Sequence, residues 1–342
     1  MTRSRELPDP SEGLPLNLPM FHRIAPALAL LVLAPWVGEY LLGNLPLGML
    51  VAIPFLVPLY GGGALLIREV ARRTGRGWRT ILLLGLAYGL VEAGLVDQSL
   101  FNPAFEGHAF QDVTPVPAFG ISAYHAISFI IGHAVWSIGV PIAVVEILTP
   151  ARRTVPWLGR RGLAVTAGLY LFGCWIVLQD HVANEQFLAS PGQLAGAAVA
   201  ALLLIVLAFA DGKPSVPSGD RAVPQPGLLG LGTFVVASVF FARPEDWLGG
   251  VIGGLALPGM AFVLVVYWSR QRRWSIRHQV SLAGGALLTY AWGGFALTYI
   301  IRPEDGLAWT GNVLFAGVAV VLLIVMARSM RNAGLEERSR EG

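Results

Sequence analysis

Residues Gln193–Ala210 read QLAGAAVAALLLIVLAFA, a stretch without a single charged side chain. Crossing the hydrocarbon core of a bilayer takes about 20 predominantly apolar residues in an α-helix. A helix that is apolar on every side has no face suited to water, so it belongs in a membrane or deep in a large core. The stretch therefore predicts a transmembrane helix.

Further apolar blocks of similar length lie on both sides of this one. Only 13% of the residues are charged and 55% are hydrophobic, whereas soluble domains usually carry about 25% charged residues. The chain is therefore predicted to be all-α, a polytopic transmembrane helical bundle of about ten spans, of which Gly227–Phe241 is the shortest. The other blocks are Ile24–Leu42, Pro46–Ile67, Thr80–Phe101, Ile121–Leu148, Leu163–Leu178, Leu248–Ser269, Ser281–Ile301 and Ala308–Ala327.

The basic residues predict the orientation of the bundle. If the N-terminus lies in the cytoplasm and the spans alternate, 22 of the 24 arginines and lysines fall in cytoplasmic segments. Cytoplasmic loops of membrane proteins are enriched in these residues. Arg243 and Arg302 fall on the other side. We therefore expect a multi-pass protein of the cell (plasma) membrane with both termini in the cytoplasm.

Composition divides the chain into five segments. A polar cytoplasmic N-terminal segment (1–23) precedes a six-span membrane core (24–210), which is predicted to hold the functional site. A linker rich in proline, serine and glycine (211–226) leads to a four-span extension (227–327). A cytoplasmic tail (328–342) follows the last span.

The four-span extension contains an internal repeat. Arg-Pro-Glu-Asp occurs at 243–246 and again at 302–305, each time between two spans on the external side. Proline suits the first turn of a helix, and an acidic residue there interacts well with the helix dipole. The motif is interpreted first as a structural turn, with a substrate or partner site as the alternative.

The longest external connection runs from Gln98 to Gly120 and is rich in phenylalanine. Connections of this length are uncommon in compact proteins and are often functional. We expect this loop to fold back over the bundle as a lid.

Ionisable residues inside spans are costly and mark candidate functional sites. Glu92 lies midway along the third predicted span and His133 midway along the fourth. Because neighbouring spans run in opposite directions, we expect the two side chains at similar depth and within about 6 Å, a range over which charges influence each other. Glu39 and Glu146 lie near span ends, where water is expected to reach them.

A wider polar stripe is predicted around this pair. Gly85 and Gly89 on the third span should allow another helix to approach closely, because small residues favour helix contacts in membranes. Helical spacing places Tyr88 and Ser99 on the face of Glu92, and His125 on the face of His133, while Asp97 lies one and a half turns beyond Glu92. These further candidates are Asp97, His125, Tyr88 and Ser99.

A buried carboxylate and an imidazole can act in three ways. They can activate a water molecule as a general base, relay protons in a transporter, or satisfy each other as packing. The residue types alone leave these alternatives open.

Three short segments resemble the CPBP family, the CAAX-type, glutamate-dependent intramembrane endopeptidases. Residues 92–101 (EAGLVDQSLF) resemble its EExxxR segment, with Ala93 and Asp97 in place of the second glutamate and the arginine. Phe129–His133 (FIIGH) matches its FxxxH segment. Residues 181–184 (HVAN) are similar to its HxxxN segment, one residue shorter.

In that family the glutamate and the FxxxH histidine are thought to activate the water that attacks a peptide bond. The resemblance implies this catalytic role for Glu92 and His133, and oxyanion stabilisation by His181 and Asn184. It makes a CAAX-type-like intramembrane hydrolase, active or degenerate, our lead hypothesis. The substrate would be a membrane-embedded peptide.

The second predicted span supports a different hypothesis. Pro54 and Pro58 are followed by residues 60–63 (YGGG), and proline removes helix hydrogen bonds. Broken helices at mid-membrane often build substrate sites, although a tight packing kink would need the same residues. A secondary transporter or channel-like component for a small molecule is therefore the alternative, and a structural subunit of a membrane assembly is the third hypothesis.

Several kinds of chemistry are not predicted. Cys174 is the only cysteine, which excludes an intramolecular disulfide and a thiolate zinc site. The sequence has no P-loop, HExxH, CxxCH or GxSxG motif, so no cofactor or metal is expected. The basic residues lie in short loops and do not indicate nucleic-acid binding. The lipid bilayer is the predicted partner, and the sequence does not predict an oligomeric state.

Overall fold

A computed structural model describes the backbone of residues 20–210 and 219–341 and the side chains of residues 24–210 and 219–329. Within these ranges nine helices are long and apolar enough to cross a membrane, and a tenth is apolar but shorter. The predicted all-α membrane bundle is thus confirmed, and the shortest predicted block is the helix below spanning length. The helices are α1 (Ile24–Leu41), α2 (Leu47–Arg73), α3 (Trp78–Val96), α4 (Ala123–Leu148), α5 (Arg160–Glu185), α6 (Pro191–Ala210), α7 (Pro226–Phe241), α8 (Trp247–Ser269), α9 (Ile276–Ile301) and α10 (Gly306–Ser329).

Two predicted segments are only partly described. Residues 1–19 of the N-terminal segment and residues 211–218 of the linker lie outside the described ranges. The helix that contains α10 continues to Glu341, through most of the predicted tail. The division into five segments stays a prediction.

The connections between helices gather at two ends of the bundle. At one end Arg302 donates to the carbonyl of Gly43 at 2.6 Å, and at the other Arg76 donates to the carbonyl of Phe209 at 2.9 Å. Arg302 and Gly43 follow α9 and α1, whereas Arg76 follows α2 and Phe209 lies at the end of α6. Odd-numbered helices thus end at one side of the bundle and even-numbered helices at the other, as expected when successive helices run in opposite directions. We call the first the lid end, because it carries segment 97–122, and the second the arginine end. Which end faces the cytoplasm stays a prediction.

Helix α4 lies between two clusters of buried apolar side chains. One cluster contains Trp136 and Leu287 and joins α1 and α4 to α7–α10. The other contains Leu59 and Ile81 and joins α4 to α1, α2 and α3. Helix α4 therefore has protein on both sides, whereas α5 and α8 expose most of their apolar surface, as lipid-facing helices do.

The segment between α3 and α4 folds over the lid end, as predicted for the loop. The Phe110 ring centroid lies 4.4 Å from that of His125 in α4, and the Phe105 centroid lies 6.2 Å from that of His181 in α5. Through these aromatic contacts the segment packs against two helices. Its function as a lid stays a prediction. Its elements are the 3-10 turns Phe105–Gly107 and Phe110–Asp112 and the antiparallel strands β1 (Pro115–Val116) and β2 (Ile121–Ser122).

The first Arg-Pro-Glu-Asp motif forms a structural turn at the lid end. The buried guanidinium of Arg243 donates to the carbonyls of Phe240 at 2.6 Å, Gly250 at 3.0 Å and Tyr124 at 3.1 Å. Burial lowers the pKa of Arg243 from its usual value, and these carbonyls compensate for the lost solvent. The carboxylate of Asp246 caps α8, because it accepts two backbone N–H bonds of the first turn at 2.6 and 3.1 Å.

The second motif repeats this arrangement. Arg302 donates to the carbonyls of Gly43 and Asn44, both at 2.6 Å, in the turn between α1 and α2. Asp305 caps α10 by accepting backbone N–H bonds at 2.9 and 3.0 Å. These contacts support the interpretation of both motifs as structural turns.

Candidate functional site

Four polar side chains from four different helices meet inside the bundle. The hydroxyl of Tyr60 on α2 donates to Oε1 of Glu39 on α1 at 2.6 Å. The same hydroxyl lies 3.3 Å from Oε1 of Glu92 on α3 and 3.5 Å from Nε2 of His133 on α4. Nε2 of His133 lies 3.1 Å from Oε2 of Glu92. The predicted proximity of Glu92 and His133 is confirmed, and we call these four residues the polar cluster.

The polar cluster runs from the lid end towards the middle of the bundle. Its outermost member, Glu39, uses Oε2 to accept a hydrogen bond from Asn44 at 3.1 Å. The inner pair is more enclosed: the side chains of Glu92 and His133 are 4% and 14% exposed. An acid near the surface is thus linked through Tyr60 to a buried acid and a partly buried imidazole.

Every member of the polar cluster lies on a π-helical segment. Such segments are rare and occur often at functional sites, because they shift the side chains that follow by one position. Proline accounts for two of them: Pro35 directly precedes the first, Pro58 lies within the second, and neither can donate a helix hydrogen bond. The four segments are Trp36–Leu41, Val57–Gly61, Glu92–Val96 and His133–Gly139.

Glycines on α3 bring α4 close enough to place His133 against Glu92. A Cβ atom at Gly89 would lie 2.9 Å from the Cα of Ile130, and a Cβ atom at Gly85 would lie 3.1 Å from the Cα of Ala134. Only glycine leaves room for backbone contact at this distance. The role predicted for both glycines is confirmed.

The imidazole of His133 has a fixed orientation. Its Nδ1 lies 2.7 Å from the carbonyl of Phe129, one turn earlier on α4. A carbonyl only accepts hydrogen bonds, so Nδ1 carries a hydrogen and Nε2 is left to face Glu92 and Tyr60. A proton on this side can therefore reside on the imidazole or on the carboxylate.

The break in α2 is both a packing kink and part of the site. The π-helical segment Val57–Gly61 carries Tyr60. Gly63 lies against the ring of Tyr88, because a Cβ atom there would be 2.5 Å from its Cε2. The kink is closely packed and also places Tyr60 in the polar cluster. The two interpretations of the second span, a packing kink and a broken helix that builds a site, are therefore compatible.

Of the further candidates, Tyr88 borders the polar cluster. Its ring centroid lies 5.9 Å from that of His133 and 6.3 Å from that of Tyr60. Its buried hydroxyl has no hydrogen-bond partner among the described residues. Tyr88 therefore contributes an aromatic wall and an unused hydroxyl group.

The other three further candidates make their hydrogen bonds closer to the lid end. Asp97, just beyond α3, accepts the backbone N–H of Ser99 at 2.9 Å. Burial raises the pKa of Asp97 well above its usual range, and the nearby Glu92 adds to this. His125 lies with Nδ1 3.1 Å from the hydroxyl of Ser122. None of these hydrogen bonds is made with a member of the polar cluster.

His181 and Asn184 have surroundings of their own near the lid end of α5. His181 is buried between the rings of Phe105 and Phe187, and within the described chain neither of its ring nitrogens makes a hydrogen bond of normal geometry. The amide of Asn184 is exposed and donates to Asp180 at 2.9 Å. None of the contacts that form the polar cluster involves either residue, and the oxyanion role implied by the resemblance stays a prediction.

One of the two expectations about acidic residues near span ends is wrong. Glu146 was expected to reach water near a span end, but it is buried and accepts hydrogen bonds from Arg68 at 3.1 Å and Arg72 at 2.5 Å. Glu39, near the end of α1, is partly exposed as expected, and it also accepts the hydrogen bond of Tyr60 in the polar cluster. The charge of Glu146 inside an apolar block was a signal for this error, since such residues usually have a partner.

The arginine end holds a separate buried charge network. Arg68 and Glu69 are both fully buried, and Arg68 donates to Glu69 at 2.8 Å. The Arg68 guanidinium lies 3.5 Å from the ring centroid of Trp157, whose backbone N–H donates to Glu69 at 2.7 Å. This network, which also contains Glu146 and Arg72, ties α2 to α4 and to the α4–α5 connection.

In the described ranges no three histidine, cysteine or acidic side chains are grouped as a metal site requires. Tyr60 lies among the two acids and the histidine of the polar cluster, and its hydroxyl is bonded to Glu39.

Comparison with known proteins identifies a family but not an activity. A family model described as an uncharacterized membrane protein family matches residues 28–330. Comparisons with curated proteins and with solved structures gave no significant match. None of these findings links the chain to the CAAX-type endopeptidases. The match covers most of the chain, so the protein belongs to this uncharacterized membrane protein family.

Proposed function

We propose that the polar cluster binds and relays protons, and that the protein is a proton-coupled secondary transporter of a small molecule. The observation that carries the proposal is the position of the Tyr60 hydroxyl. It lies within 3.5 Å of an acid near the lid end, of a buried acid and of a partly buried imidazole. We further propose that the lid end faces the exterior, as the distribution of arginines predicts.

The chemistry of the cluster suits proton exchange. A tyrosine hydroxyl donates one hydrogen bond and accepts others, so Tyr60 can pass a proton between Glu39 and Glu92. Imidazole exchanges protons near neutral pH, and His133 continues the series inwards. Chains of acids and histidines inside membrane helices form the proton relays of pumps and transporters.

The backbone supports transport as well. Transporter sites are commonly built where membrane helices are interrupted near mid-depth. Here four helices depart from α-helical geometry at the same place, where each contributes one side chain of the polar cluster. A local change in these segments would alter the Tyr60 contacts without unfolding the helices.

Proton flux in liposomes tests the relay. The reconstituted wild-type protein should acidify vesicles under an imposed potassium diffusion potential, reported by an entrapped pH dye. Glu92→Gln should reduce this rate about tenfold or more, since a hydrogen bond to a charged group is worth about 1.5–3 kcal/mol. Glu245→Gln is the matched control, because it makes the same chemical change at an exposed acid of the first motif. Equal rates for wild type and Glu92→Gln would refute the relay and favour a packing role or a structural subunit.

Intramembrane hydrolysis is the second candidate function. The Glu92–His133 distance of 3.1 Å and the fixed imidazole orientation favour it, because a general base needs this kind of placement. Phe129, which holds Nδ1 of His133, is the first residue of the segment that matches FxxxH. A hydrolase would use the inner pair on a water molecule and would have no need of Glu39.

The substitutions Glu39→Gln and His181→Ala should have opposite effects if the protein is a proton relay and if it is a hydrolase. A relay predicts that Glu39→Gln slows proton flux about tenfold and that His181→Ala leaves it unchanged, because His181 lies among phenylalanines and outside the cluster contacts. A hydrolase of the resembled type predicts the reverse for cleavage of a membrane-embedded reporter peptide, since His181 would stabilise the oxyanion. Flux in liposomes and peptide cleavage are measured on the same purified variants. Normal flux in Glu39→Gln would contradict the relay.

A further inference from the structure

We infer that Arg302, in the second Arg-Pro-Glu-Asp motif, is a positioning residue for Glu39 and acts through the turn between α1 and α2. This motif lies in the four-span extension, whereas the polar cluster lies on α1–α4. The effect of Arg302 on proton transfer rests on the proposed function, because Glu39 is the outermost member of the proposed relay.

A short series of hydrogen bonds connects the two residues. One terminal nitrogen of Arg302 donates to the carbonyls of Gly43 and Asn44, both at 2.6 Å. The side chain of Asn44 donates to Oε2 of Glu39 at 3.1 Å. Asn44 is therefore fixed through its backbone by Arg302 and holds Glu39 through its side chain.

The turn itself is docked on the four-span extension. Gly43 adopts φ = +80°, a left-handed conformation that glycine adopts without strain. A Cβ atom at Gly43 would lie 3.1 Å from the carbonyl oxygen of Gly294 in α9 and 3.2 Å from Oδ1 of Asn312 in α10. The close packing sets where the turn lies, and the guanidinium fixes the direction of its carbonyls.

The position of Asn44 bears on how readily Glu39 takes up and releases a proton. Oε1 of Glu39 is used by Tyr60 and Oε2 by Asn44. An N–H donor stabilises the ionised form of a carboxylate more than the protonated form. If the turn is released from Arg302, the Asn44 bond weakens and Glu39 retains its proton more readily.

The first motif provides an internal comparison. Arg243 makes the same kind of bonds, to the carbonyls of Phe240, Gly250 and Tyr124. None of these residues belongs to the polar cluster. Loss of Arg243 should therefore disturb a lid-end turn without changing the hydrogen bonds of Glu39.

Carbodiimide labelling of Glu39 in the purified full-length protein tests the inference directly. The reagent reacts with protonated carboxyl groups, and the labelled peptide is quantified by mass spectrometry over a series of pH values. We expect Arg302→Gln and Asn44→Ala each to accelerate labelling of Glu39 about three- to tenfold at neutral pH, the range set by one typical hydrogen bond. Arg302→Lys, which keeps the charge and one donor towards the turn, should restore part of the wild-type rate. Other titratable groups face Glu39 and are kept unchanged in all variants: Tyr40, Tyr60, Tyr88, Glu92, His133 and Tyr290.

Arg243→Gln is the matched control for the loss of a motif arginine and should label at the wild-type rate. Equal acceleration in Arg243→Gln and Arg302→Gln would show a general loosening of the lid end and overturn the inference. A wild-type rate in both Arg302→Gln and Asn44→Ala would overturn it as well. If Arg302→Gln cannot be purified, Asn44→Ala decides, because it removes a single side-chain bond. The labelling result does not depend on proton flux, so a failed relay and a failed positioning role are distinguishable.

Discussion

Replacing Arg68 by methionine should lower the free energy of unfolding by about 3–5 kcal/mol, the usual cost of removing one partner from a buried ion pair. The Arg68 side chain is fully buried and donates to Glu146 at 3.1 Å, Glu69 at 2.8 Å and the carbonyls of Arg152 and Arg153 at 3.1 and 3.2 Å. Without it two buried carboxylates lose a donor, and two carbonyls lose their guanidinium. Thermal or denaturant unfolding of the purified protein in detergent measures the loss.

Arg73→Met is the control within the same network. Arg73 is 27% exposed and bonds Glu69 at 3.3 Å and the carbonyl of Leu158. Surface ion pairs are usually worth about 0–1 kcal/mol, so this substitution should cost much less than Arg68→Met. A similar loss of stability in both variants would contradict the view that the buried guanidinium holds the arginine end together.

Sequence reasoning reached the fold because membrane helices are specified by local composition. Gln193–Ala210 needs no knowledge of its neighbours to be recognised as a span, and the structure places a helix at Pro191–Ala210. Arg68 shows the limit of this reasoning. It was counted as a residue of a basic cytoplasmic segment, yet it is fully buried, because its partners Glu146 and Arg152 come from another helix and its following connection.

Two of the four residues of the polar cluster could be predicted from the sequence. Glu92 and His133 could be paired because adjacent antiparallel spans place mid-span residues at equal depth. Glu39 and Tyr60 could not be added, since their meeting depends on π-helical segments that turn each side chain inwards. No local pattern in Glu92–Val96 predicts its π-helical geometry.

Gly173→Ala should cost about 3 kcal/mol of stability, at the upper end of the range for overpacking. Gly173 on α5 lies against the broken segment of α2, where an added Cβ would overlap the backbone nitrogen of Leu59 and lie 2.7 Å from the carbonyl carbon of Pro58. Backbone atoms cannot rotate away as a side chain can, so α5 must move from α2 or the break must shift. Either movement displaces Tyr60, the next residue along, and should therefore lower proton flux together with stability.

Gly168→Ala separates this contact from the general effect of alanine in a helix. Gly168 lies on the same helix, and an added Cβ there would meet nothing within 4 Å. Alanine favours a helix over glycine by about 1 kcal/mol, so Gly168→Ala should leave stability unchanged or raise it slightly and keep normal flux. Unfolding temperature and flux are measured for both variants in the same lipid. If Gly173→Ala behaved like Gly168→Ala, α5 would not support the break in α2, and the placement of Tyr60 would have to depend on its contacts with α1, α3 and α4.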